Sequence, residues 1–90
     1  MSSNLLTILT QEVILNILRF LADNGRANFL QIQEKTHINS SRELRKELDK
    51  LQENNLIAVV KSSDPDFHTY YLTTEGYRAY RGVNRMLEAA

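Results

Sequence analysis

The chain has 90 residues, enough for one domain with a modest hydrophobic core and too few for two. Apolar residues make up 42% and charged residues 24%, which excludes a disordered segment, and the absence of cysteine excludes disulfides and thiolate metal sites. Eleven basic and eleven acidic side chains cancel, so contact with nucleic acid would need charge gathered on one face.

Leu5, Leu6, Ile8 and Leu9 form an apolar run interrupted by Thr7. The run lacks a basic lead-in and a small-residue cleavage site, so it does not read as a signal peptide, and no stretch reaches membrane-spanning length. A soluble, cytoplasmic protein is expected. From Thr10 to Asn24, Val13, Ile14, Ile17, Leu18 and Leu21 recur at helical spacing, and Leu15 and Phe20 widen the stripe. Asn24-Gly25 stops this first helix, because glycine accepts the left-handed conformation that closes one. Arg26-Ala27 reads as a short extended piece. Asn28 then caps a second, short helix with Gln31 as its capping-box partner; Phe29 and Ile32 face inward, and the pattern lapses near Thr36.

His37 to Ser40 reads as a turn with one apolar plug, Ile38. Ser40 and Glu43 form a capping box that opens a third helix, residues 40–54, on which Leu44, Leu48 and Leu51 make a narrow buried stripe. Asn54-Asn55 ends it. The period then changes. Leu56 to Val60 and His68 to Thr73 are β-branched and aromatic, and Ser62-Ser63-Asp64-Pro65-Asp66 between them is turn chemistry, which gives a hairpin. Thr73 or Thr74 caps a last helix, with Glu75 near its positive end and Tyr77, Tyr80, Val83 and Leu87 facing inward. The order is a mainly α (α+β) winged helix-turn-helix: residues 1–90 as one domain, a β-hairpin wing, and a final helix after it.

Three stretches resemble small winged-helix transcriptional regulators of the MarR/ArsR-like type. Ala27 to Ile32 is similar to the start of that family's second helix. Ser40 to Ile57 is similar to its recognition helix and the exit into the wing, with Asn55 in place of the usual Gly. Tyr70 to Gly76 carries the Leu-Thr-x-x-Gly pattern (Leu72, Thr73, Gly76) that leads from the wing into the last helix. The resemblance implies a DNA-binding regulator, usually a homodimer built by the first and last helices, with the third helix in the major groove. Asp64 and Asp66 depart from it, standing where family wings often carry Arg or Lys.

At about 100° per residue, the leucine stripe leaves Arg42, Lys46, Asp49 and Glu53 pointing away, with Arg45 and Lys50 on opposite flanks. The first residues of a recognition helix reach base edges. Arg42 and Arg45 are therefore the expected guanine readers, Ser40 and Ser41 suit phosphate or base contacts, and Lys46 and Lys50 suit backbone. Lys61 and His68 at the base of the wing are expected at phosphates, His68 best when protonated. The competing reading is a solvated helix whose charges pair locally, as Arg45 with Asp49 would. A metal site at Asp64, Asp66 and His68 is disfavoured, because three ligands on one turn show no supporting shell. Glu34 and His37 read as a local hydrogen bond, and Arg78, Arg81 and Arg85 as a solvated basic face. No nucleophile elbow, phosphate-binding glycine loop or catalytic carboxylate pair is present, so neither an enzyme nor a cofactor is expected.

The apolar extension, residues 1–9, supplies Leu5, Leu6, Ile8 and Leu9 as dimer contacts, joined by Tyr80 and Leu87 from the last helix. The expected function is site-specific binding of duplex DNA by a homodimeric transcriptional regulator. The alternative is a winged helix used for protein–protein contact. No polar cluster points to a small-molecule effector.

Overall fold

The computed structural model describes residues 12–89, with side chains as far as residue 85. Helix α1 (Glu12–Asn24) leads into strand β1 (Ala27–Asn28), then α2 (Phe29–Thr36) and α3 (Ser41–Glu53). Strands β2 (Ile57–Val60) and β3 (Thr69–Leu72) form the wing, with a 3-10 turn at Pro65–Phe67 in its loop, and α4 (Thr74–Ala89) follows. None of these helices is long and apolar enough to cross a membrane. Leu5, Leu6, Ile8 and Leu9, and the side chain of Leu87, lie outside the described residues.

The helical stripes converge on one core. Ile14, Ile17, Leu18 and Leu21 of α1 meet Phe29 and Ile32 of α2 and Leu44, Leu48 and Leu51 of α3, all fully buried. Leu56, Ile57, Tyr70, Leu72 and Val83 close the core from the sheet and α4. Each buried Leu or Ile is worth about 1.5–3 kcal/mol, so these stripes hold the helices together. Leu15, Phe20 and Ile38 pack half-buried against the same cluster, while Val13 faces outward on α1.

Local chemistry sets the ends of the elements. Gly25, at φ +82°, closes α1 by donating its N–H to the Leu21 carbonyl at 2.8 Å. At the start of α2 the full capping box forms: Asn28 Oδ1 accepts from the Gln31 N–H and Gln31 Oε1 accepts from the Asn28 N–H, each at 2.9 Å. His37 takes a left-handed φ of +57° and ends α2, so Glu34 and His37 do not share a continuing helical face. Ser40 Oγ accepts from the Glu43 N–H at 3.2 Å and caps α3 with that half of the box.

The end of α3 is a Schellman closure. Asn55 adopts φ +61°, donating its N–H to Gln52 O, while the Leu56 N–H reaches back to Leu51 O, both at 2.9 Å. Asparagine fills the left-handed position that glycine usually takes because its side chain tolerates that region better than other L-residues.

The sheet has three strands in the order β1-β3-β2, all antiparallel. The wing hairpin pairs Ile57 with Leu72 and Val60 with Thr69. The short extended piece is a true strand one residue later than expected, pairing Ala27 with Tyr70 and Asn28 with Thr69. It ties the start of α2 to the wing.

A compact joint links the wing to α4. Thr73 donates its N–H to Leu56 O at 3.1 Å and its hydroxyl to Asn55 O at 2.7 Å, while Oγ1 accepts from the Gly76 N–H at 2.9 Å. A Cβ on Gly76 would collide with the Leu56 carbonyl oxygen, so the backbones can approach only over glycine. The Leu-Thr-x-x-Gly pattern is thereby explained: Thr73 is the cap and Gly76 the clearance.

Candidate nucleic-acid interface

With its leucine stripe buried, α3 turns three other surfaces outward. Its outermost side chains are Arg42, Lys46, Asp49 and Glu53, all exposed, as the periodicity predicts. Arg42 and Lys46 make the amino-terminal half basic, and Asp49 and Glu53 make the other half acidic. Ser40 is occupied as the helix cap, and Ser41 Oγ accepts from Gln33 Nε2 of α2 at 3.1 Å. Both hydroxyls still sit at the amino terminus of the helix, where a phosphate is favoured by the helix dipole.

The flank facing the wing holds Arg45, Asp49 and Gln52. Arg45 does not pair with Asp49, as a helix-only reading would have it. Its Nη2 donates to Asp66 Oδ1 of the wing loop at 3.3 Å, and its guanidinium lies 4.1 Å from the centre of the Phe29 ring. Arg45 and Asp66 are 39% and 48% exposed, so this ion pair is worth little in stability, at most about 1 kcal/mol. Asp64 is used locally: its Oδ1 accepts from the Asp66 N–H at 3.0 Å and caps the 3-10 turn. That cap orients Asp66. The wing carboxylates therefore have structural partners, one in the turn and one on α3.

Between α3 and the wing runs a cleft of about 240 Å3, lined by Arg45, Asp49, Gln52, Val59, Lys61, His68 and Tyr70. Lys61 is exposed at its rim. His68 Nδ1 accepts from the Ser62 N–H at 2.9 Å, which closes the base of the wing loop. With Nδ1 accepting, the neutral ring carries its hydrogen on Nε2, which can donate in turn. Tyr70 forms the floor; burial pushes its hydroxyl pKa up, against the pull of Arg45 and with a smaller push from Asp49.

Lys50 lies across the helix from this cleft. Its ammonium is held by Glu47 at 3.3 Å, in a groove of about 500 Å3 shared with Glu12, Val13, Ile38, Glu43 and Lys46. The structure thus brings Arg45 together with Lys61 and His68 in the cleft, leaves Ser41 and Arg42 at the start of α3, and puts Lys46 with Lys50 along the groove on the other side of the helix. Among the described residues no three His, Cys, Asp or Glu side chains gather as metal ligands. On α4, Arg78 pairs with Glu75 at 3.7 Å, Arg81 and Arg85 are exposed, and Tyr80 packs half-buried against the core.

Two contacts had no signal in the sequence. Arg45 and Asp66 are 21 positions apart, and only the return of the wing past α3 makes them neighbours. Arg26 lies 5.8 Å from the ring of Tyr71, a pairing that needs the β1–β3 ladder.

Solved structures share this architecture. NadR in complex with 4-hydroxyphenylacetate is 26% identical with a TM-score of 0.77, over 90% of this chain and 57% of that one. YusO from Bacillus subtilis is 22% identical with a TM-score of 0.81, over 97% of this chain and 62% of that one. The reduced form of the transcriptional regulator YodB from B. subtilis is 25% identical with a TM-score of 0.77, over 97% of this chain and 84% of that one. The chain spans about three fifths of the length of NadR and YusO. No protein-family model matches it, and no curated protein matches it in sequence. The winged helix-turn-helix fold is one it has in common with solved transcriptional regulators.

Proposed function

We infer that the protein is a transcriptional regulator that binds duplex DNA site-specifically, with α3 in the major groove. The observation that carries this reading is the exposed amino-terminal half of α3. Arg42 and Lys46 stand clear of the core there, and Lys61 and His68 of the wing face the same helix across the cleft that holds Arg45. A recognition helix uses its first turns on base edges. Arg42 is the base reader, because its guanidinium offers the two-pronged donor that guanine accepts. Ser40, Ser41, Lys46, Lys61 and His68 contact backbone, and Lys50, committed to Glu47, is peripheral. A homodimer joined through Leu5, Leu6, Ile8 and Leu9 and through Tyr80 and Leu87 of α4 would present two such helices, and the site of action would be the cytoplasm. The net charge of zero predicts few neutralised phosphates and a shallow dependence on salt.

One observation favours a second reading, a protein-binding module: Asp49 and Glu53 put acid on the same outer face as Arg42 and Lys46. Titration of wild type and Arg42→Ala against promoter fragments at several salt concentrations separates the two. Arg42→Ala should lose about 1–3 kcal/mol on the preferred site and relax its sequence preference. Equal binding by both proteins would give the lead to the protein-binding module.

A further inference from the structure

We propose that Asp66 is an internal stand-in for a DNA phosphate: it holds Arg45 in the free protein and gives it up to a backbone phosphate seated in the cleft between α3 and the wing. The proposal rests on the DNA-binding reading above and assigns that site its exchange step.

The ion pair has the geometry of a contact made to be exchanged. It is single-pronged, one Nη2 to one Oδ1, and at 3.3 Å it is longer than the 2.7–2.9 Å of a tight charge-assisted bond. Both partners remain open to solvent, so a competing anion can approach without unfolding anything. The guanidinium has a second support in the Phe29 ring, whose place is fixed because Phe29 is fully buried and opens α2. Losing Asp66 therefore leaves the plane of Arg45 oriented, and an oriented guanidinium loses less freedom on taking a phosphate. The cleft beside it supplies the other donors, the Lys61 ammonium and His68 Nε2–H, in a space of about 240 Å3.

The exchange has a sign. While Asp66 holds Arg45, any duplex must displace a carboxylate to gain that cation. This lowers affinity for DNA of every sequence and leaves a larger share of the binding to base contacts at the start of α3. The acidic wing is in this view a restraint on indiscriminate binding.

The test is titration of the full chain with a labelled duplex of arbitrary sequence over a range of salt, using wild type, Asp66→Asn, Arg45→Ala, the double variant, and Asp64→Asn. Asparagine at position 64 keeps the Oδ1 that caps the turn, so that variant controls for wing charge alone. Asp66→Asn should tighten binding roughly two- to fivefold and steepen the salt slope by about one unit. In the Arg45→Ala background it should change nothing, and Asp64→Asn should do little. Asp66→Ser, smaller and equally uncharged, should agree with Asp66→Asn, and circular dichroism reports whether each variant is folded. Binding by wild type with no gain in Asp66→Asn overturns the exchange alone, as does an equal gain with Arg45 absent. If neither protein binds any duplex at low salt, the DNA reading falls, and the exchange falls with it.

Discussion

A hydrogen atom at Gly76, where every other residue has a carbon, decides how the last helix meets the wing. The glycine sits flush against the Leu56 carbonyl, and its N–H is taken by Thr73 Oγ1. Gly76→Ala should cost about 1–3 kcal/mol, the usual range for forcing a methyl into a filled space. For a domain of this size that is a fall in Tm of about 5–20 °C, read by thermal denaturation. An unchanged Tm would mean that α4 can retreat from Leu56 at no cost. Arg45 makes the opposite point about single residues. Its position on a flank of α3, opposite Lys50, was legible from helical periodicity, but which flank faces the wing, and its partners there, were not. Asp66 comes from a loop 21 positions away and Phe29 from another helix, so no local pattern encodes either contact.

At the level of elements, local signals were sufficient wherever a cap or a stripe decides the structure. The Asn28–Gln31 box, the Gly25 stop and the Leu44, Leu48 and Leu51 stripe all appear where their chemistry requires them. Asn55 is the sharpest case, because one left-handed residue both ends α3 and aims the chain into β2. Asn55→Ala should destabilise the fold by about 1–2 kcal/mol, and Asn55→Gly should be neutral or slightly stabilising. Midpoints of denaturant unfolding measure both, and an alanine variant as stable as wild type would remove left-handed strain as the reason for asparagine. What the sequence obscured at this scale is pairing. The two-residue strand β1 carries no alternation of its own and exists because β3 offers it a free edge. The wing loop reads correctly as turn chemistry, yet its 3-10 turn and its reach back to α3 depend on the Asp64 cap and the Arg45 contact together.

For the whole molecule, light scattering at micromolar concentration should return twice the mass of one chain. A monomer that still binds DNA tightly would exclude the proposed pairing. In a symmetric pair the two copies of α3 would address half-sites about 34 Å apart, or a multiple of that spacing. The joint at Leu56, Thr73 and Gly76 then acquires a mechanical meaning. Two hydrogen bonds and a bare backbone contact tie the end of α3 to the start of α4. Were the two helices to turn as one body, they would form a cranked lever with its fulcrum at that joint. The tip of α3 that carries Arg42 lies at the far end of 13 residues, about 20 Å from the fulcrum. Each degree of such a turn would swing that tip by roughly a third of an ångström, and ten degrees would carry it about the distance between neighbouring base pairs.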